Sequence, residues 1–162
     1  MDSLPPLLVT PLSPIGFFPK MKNEKRKNMS TIVMKFGGAS VATTDLISNC
    51  AKIILEKVEH FQKIAVVVSA MKGMTDQLVH LAQKVNSSPQ PREVDMLLSV
   101  GERISMSLLA MALAKSGREA VSFTGSQSGI ITCPSHSNAK IIDVNPYRIL
   151  PYLNEKKIVI VA

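Results

Sequence analysis

Strands alternating with helices across residues 31–162 predict an α/β fold built on a parallel sheet. Three observations carry that prediction. Short apolar, β-branched runs recur at 31–36, 63–70, 119–125 and 157–162. Helical spacing of apolar residues fills the intervals at 45–61, 75–85 and 92–116. The segments that close the first three runs read "KFGGAS", "SAMKGMTD" and "TGSQSGI". They are rich in small and polar residues, as ligand loops at the carboxyl ends of parallel strands are.

Each element has its own signal. "TIVMKF" is short and β-branched, hence a strand. Leu46, Cys50, Ile54, Val58 and Phe61 then form one apolar stripe, so 45–61 reads as a helix. Thr43 or Thr44 can cap it, and Asp45 suits its positive end. "KIAVVVSA" is nearly all apolar, the pattern of a strand covered on both faces. "TDQLVHLAQKV" reads as a helix and "NSSPQP" as a loop. Residues 92–116 form a long helix stopped by Gly117. "EAVSFTG" and "KIVIVA" are two further strands. The last is expected as an uncovered edge prone to pairing with other chains.

Composition narrows the function. The chain has 162 residues and is 46% apolar, enough for one domain with a core. Its net charge is +7. Residues 1–30 hold five basic and two acidic residues, +3, which leaves +4 for the rest. There is no tryptophan and no basic stripe interleaved with aromatics, so nucleic acid is not the expected partner. No stretch reads as long enough to span a bilayer, so no membrane partner is expected either. Cys50 and Cys133 lie outside any CxxC or Cys/His cluster, which argues against a zinc site and for reduced thiols in a cytoplasmic protein. His60 and His80 fall on helix surfaces, and His136 in the polar loop "CPSHSNAK".

Residues 1–30 stand apart. Prolines at 5, 6, 11, 14 and 19 interrupt the apolar residues, and the lysines come after them, unlike a signal peptide. This Pro-rich, basic leader is expected to be disordered, with residues 1–28 dispensable and Met21 and Met29 as alternative starts.

Two constellations carry chemistry. In "VMKFGGASVA", Gly37 and Gly38 follow a strand and precede a helix, and Lys35 stands at the strand end. Backbone N–H groups there can approach an anion, helped by the helix terminus. A plain two-glycine turn with a surface lysine fits as well, and neither GxxxxGK[ST] nor GxGxxG is present. In "DMLLSVGERISMSLLAMAL", Glu102 sits in a helix that is apolar on most sides, beside Gly101, which leaves room for an approaching group. Either an internal salt bridge, to Arg103 or a lysine, or a ligand's ammonium group would satisfy that carboxylate.

Together with "VVVSAMKGMTD", "SFTGSQSGI" and "KIVIVA", these segments resemble aspartokinases, of the amino acid kinase superfamily, in order and spacing across 31–162. The resemblance implies a parallel-sheet α/β sandwich of amino acid kinase type, incomplete at its C-terminus, with 31–162 as the N-terminal, aspartate-binding part. It implies ATP-dependent phosphorylation of L-aspartate to 4-phospho-L-aspartate, which opens lysine, threonine and methionine biosynthesis. By the same resemblance Lys35 is catalytic and contacts the ATP phosphates, which Gly37, Gly38 and Ser40 cradle. Ser69 and Thr75 lie on the aspartate side, Glu102 holds the aspartate ammonium, Mg²⁺ bridges the phosphates, and no protein metal ligand is expected. Ala39 stands where the family usually has threonine or serine, and Ser126 where tryptophan is common. A nucleotide-binding half follows in the family. The expectation for this chain alone is therefore no turnover, with a non-catalytic remnant or interaction module as the alternative. A homo-oligomer stays open.

Overall fold

The computed structural model describes residues 30–162, so the expectations for the leader lie outside the described residues apart from Ser30. The elements run β1 (Thr31–Phe36), α1 (Thr44–Val58), β2 (Lys63–Val68), α2 (Met74–Val85), α3 (Pro91–Lys115), β3 (Ala120–Phe123), β4 (Ile130–Thr132), β5 (Ile141–Val144), α4 (Ile149–Asn154) and β6 (Ile158–Val161).

β1, β2, β6 and β3 form one sheet in that order, and every pair in it is parallel. The α/β prediction holds. The expected edge at "KIVIVA" does not: β6 lies inside the sheet, with Val66 opposite Ile160 on one side and Ser122 opposite Ile160 on the other. Its unbroken apolar run explains the position. Ile158, Val159 and Ile160 are all buried, which only an interior strand covered on both faces allows.

α1 and α3 cover one face of the sheet. Under them lie Met34, Phe36, Val66, Val68 and Ile160, with Leu109 and Leu113 from α3. α4 covers part of the other face, where Leu153 and Tyr152 pack on Phe123 and Val159. The rings of Phe123 and Tyr152 meet edge to face at 5.4 Å. β2 shows the asymmetry: Ile64, Val66 and Val68 are buried, while Ala65 and Val67 on the opposite face are only half-buried. At the β1 edge Val33 is 66% exposed on that same face. Full coverage of both faces was expected of β2 and is not found.

Thr43 caps α1, its hydroxyl accepting from the Leu46 N–H at 3.3 Å. The buried residues are Ile47, Cys50, Ala51 and Ile54; Cys50 and Ile54 of the predicted stripe are among them, Val58 packs half-buried on the same core, and Leu46 does not join them. A strict spacing of four drifts about 40° per step around a 3.6-residue helix, so Leu46 is carried out to solvent. α1 ends at Val58, and Phe61 packs half-buried beyond it.

α3 buries Gly101, Ser105, Met106, Leu109 and Leu113. By length and composition alone it could cross a bilayer, contrary to the sequence reading. Here it packs along α1, α2 and β3. Gly117 stops it in the left-handed region at φ +76°, and the Arg118 N–H reaches back to Leu113 O at 3.1 Å. The antiparallel β4–β5 hairpin and α4 were not anticipated.

Candidate active site

Because the sheet is parallel, the loops after β1, β2 and β3 open at one end, where Ala162 also follows β6. Lys35 is the penultimate residue of β1. It is exposed, and strand alternation puts it on the face of Val33, away from α1 and α3.

The first two loops are tied together by backbone. The Ser69 N–H donates to Phe36 O at 3.1 Å, and the Lys72 N–H to Gly38 O at 3.2 Å. A Cβ on Gly38 would stand 2.8 Å from Ala70 O, so the close crossing of the loops requires glycine there. Gly37 faces open space. The Ser40 N–H is spent in a turn to Gly37 O at 2.9 Å, and the Cys50 thiol donates to Ser40 O at 3.2 Å. Only the Ser40 hydroxyl is left for a ligand. α1 begins at Thr44, beyond a turn seated on the fully buried Val41, so the glycines do not open directly into the helix. Ser69 is half-buried, and Thr75 is exposed in the first turn of α2.

The room expected beside Gly101 is occupied by the protein itself. A Cβ there would meet Ala70 Cβ at 2.9 Å and Met74 Cγ at 3.4 Å. Gly101 therefore lets α3 dock on the second loop, and this sets the height of Glu102.

Glu102 is half-buried and lines a cavity of about 330 Å³. Ser99 and Arg103 of α3 line it too, as do Thr124, Gly125 and Ser126 after β3, Ile130 and Thr132 of β4, and Ala162. The turn after β3 satisfies itself. The Thr124 N–H donates to Gln127 Oε1 at 3.0 Å, and the buried Ser128 hydroxyl to Gly125 O at 2.7 Å. Among the described residues neither Glu102 nor Arg103 forms an ion pair, so the expected salt bridge between them is absent. Of the predicted site residues only Glu102 lines this cavity. Lys35, Gly37, Gly38, Ser40, Ser69 and Thr75 lie at the same end of the sheet, outside it. Sequence reasoning treated Arg103 only as a partner for Glu102 and missed Thr124, Ile130 and Thr132.

His136 is more than a loop residue. Its Nδ1 lies 3.1 Å from Asp95 Oδ2, across from α3.

The two thiols differ. Burial pushes the Cys50 thiol above its usual range. The Lys140 N–H, which donates to Cys133 Sγ at 3.2 Å, draws the Cys133 thiol below it. The thiolate is the reactive form. Iodoacetamide at neutral pH is therefore expected to label Cys133 at least about tenfold faster than Cys50. Labelling of Cys133 should also reach its plateau at lower pH, as judged by peptide mass spectrometry. Equal rates at the two sites would contradict these environments.

Among the described residues no group of three or more His, Cys, Asp or Glu is placed to hold a metal ion. The described side chains therefore form no protein cage for Mg²⁺.

Residues 30–162 match the model of the amino acid kinase family. Over 134 residues the chain is 51% identical to the aspartokinase of Mycolicibacterium smegmatis, covering 83% of this chain and 32% of the relative. It is 48% identical to the aspartokinase of Geobacillus stearothermophilus, covering 83% and 33%. The solved aspartate kinase from Synechocystis superposes with a TM-score of 0.69 at 43% identity, over 80% of this chain and 21% of that one. E. coli aspartokinase III, solved with aspartate and ADP, gives 0.69 at 22% identity over 82% and 40%, a likeness of fold. The chain thus spans about a third of the length of these curated relatives. With the family model matched from Ser30 onward and a parallel sheet that opens its loops at one end, the chain belongs to the amino acid kinase family and is similar to aspartokinases over the matched residues.

Proposed function

We propose that residues 31–162 are the aspartate-binding part of an aspartate kinase, which converts ATP and L-aspartate to ADP and 4-phospho-L-aspartate. The observation that carries the reading is the pair Glu102 and Arg103, on one cavity and free of each other. An amino acid zwitterion matches that pair: its ammonium meets the carboxylate, its α-carboxylate the guanidinium. The side-chain carboxylate of the substrate is ionised at pH 7 and attacks phosphorus without a general base. Lys35 neutralises charge that builds on the transferred phosphoryl group, while Gly37, Gly38 and Ser40 hold the phosphates. Ser69 and Thr75 belong to the aspartate side. The similarity to aspartokinases over 134 residues supports this reading, as does the fold shared with an aspartokinase solved with aspartate and ADP.

On this reading the substrates are small molecules, and the reaction belongs to lysine, threonine and methionine biosynthesis in the cytoplasm, where the unpaired Cys50 and Cys133 stay reduced. The matched relatives use about three times this length, so Met1–Ala162 alone is expected to bind L-aspartate without aspartate-dependent ADP release. Calorimetric titration tests the assignment. L-Aspartate should bind at least about tenfold tighter than succinate, which keeps both carboxylates and lacks the ammonium. Equal affinities would overturn it.

A further inference from the structure

We propose that Asp95 is a positioning residue for the Glu102 cavity: it latches the tip of the β4–β5 hairpin onto α3 and so fixes the wall that Ile130 and Thr132 provide. Asp95, Ser99 and Glu102 are spaced i, i+4, i+7, on one face of α3. The lower two line the cavity. The upper one faces the hairpin tip. Asp95 Oδ2 accepts from the Ser137 N–H at 2.9 Å and lies 3.1 Å from His136 Nδ1. Ser137 is held at φ +60°, a backbone state that costs a non-glycine residue about 1 kcal/mol or more and persists where surroundings enforce it.

The hairpin has little else to hold it. All of β5 is exposed, as are Ile131 and Thr132 of β4. Among the described residues, neither strand makes an extensive contact with another element beyond their mutual pairing. A two-stranded hairpin by itself is marginal in water. The base is pinned where the Asn145 N–H donates to Gly129 O at 2.8 Å, and a Cβ on Gly129 would lie 1.7 Å from Asn145 O. The tip is pinned at Asp95. Between those two points run the residues that wall the cavity. Released at the tip, the hairpin pivots on its base and Thr132 leaves the cavity that it lines with Glu102.

The test compares Asp95→Ala and Asp95→Asn in Met1–Ala162. Asparagine keeps a carbonyl oxygen that can accept from the Ser137 N–H and from a protonated His136 Nδ1; alanine keeps nothing. Asp95 and His136 are part exposed, with side chains 38% and 50% accessible, so water competes and the effect is moderate. Asp95→Ala should speed deuterium exchange in 130–144 about five- to tenfold, leave α1 and β2 unchanged, and weaken L-aspartate about fivefold. Asp95→Asn should stay within about twofold of the parent in both measurements. Unchanged exchange in Asp95→Ala overturns the latch. Faster exchange with L-aspartate affinity intact overturns its positioning role. The affinity arm rests on the aspartate reading: if the parent chain binds no L-aspartate, that reading fails, and the latch is decided by exchange alone.

Discussion

Glu102→Gln is expected to weaken L-aspartate binding about thirtyfold while leaving succinate within about twofold. The change keeps the shape of the side chain and removes its charge. A hydrogen bond to a charged partner contributes about 1.5–3 kcal/mol, or about ten- to a hundredfold in affinity. Half-burial of Glu102 beside Arg103 puts the estimate inside that range and not at its top. Succinate has no ammonium and so loses no partner. Thermal stability should hardly move, because among the described residues the carboxylate has no ion pair to lose. Parallel calorimetry on both ligands checks this. An equal loss for the two would mean that the cavity had collapsed, and no loss for L-aspartate would remove Glu102 from its ammonium.

Leu109→Ala is expected to lower unfolding free energy by about 3 kcal/mol. Leu109 is fully buried in the cluster that joins α3 to the sheet, where a cavity has little room to close. One turn earlier the same helix offers a contrast. Ser105 is also fully buried, and among the described residues its hydroxyl has no hydrogen-bond partner. A buried hydroxyl without a bond costs about 1–3 kcal/mol, so Ser105→Ala is expected to stabilise by about 1 kcal/mol. Urea unfolding of both variants measures the pair. A Ser105→Ala protein less stable than the parent would show that the hydroxyl bonds back to its own helix.

The sequence made periodic elements readable and long-range pairing unreadable. β1, β2, β3 and β6 announced themselves as apolar runs, and α3 by its length and the Gly117 stop. β4, β5 and α4 did not, because β5 is exposed along its whole length and "CPSHSNAK" has no period to detect. The place of β6 depends on partners far back in the chain, as in Ala65 opposite Val159, which no local pattern encodes. In the site, Glu102 stood out as a charge in an apolar helix. Arg103 did not, since a neighbouring charge reads first as its partner. Asp95 and His136 are 41 residues apart, and only the folded chain brings them together. Gly37 and Gly38 look alike in sequence, yet only Gly38 is pressed against backbone.

The interior position of β6 dictates an order of events. While the chain emerges from the ribosome, β2 and β3 have no strand to join them until Ile158–Val161 has been made. Up to that moment α1 and α3 have half a floor to rest on. Val66 and Ser122 wait for the same residue, Ile160. Pairing across such sequence distances is slow, because loop closure must come before any reward from contact. Synthesis is therefore expected to leave an apolar, strand-rich intermediate open until β6 inserts. During that interval the unpaired edges of β2 and β3 are open to wrong partners, the condition under which chaperones bind.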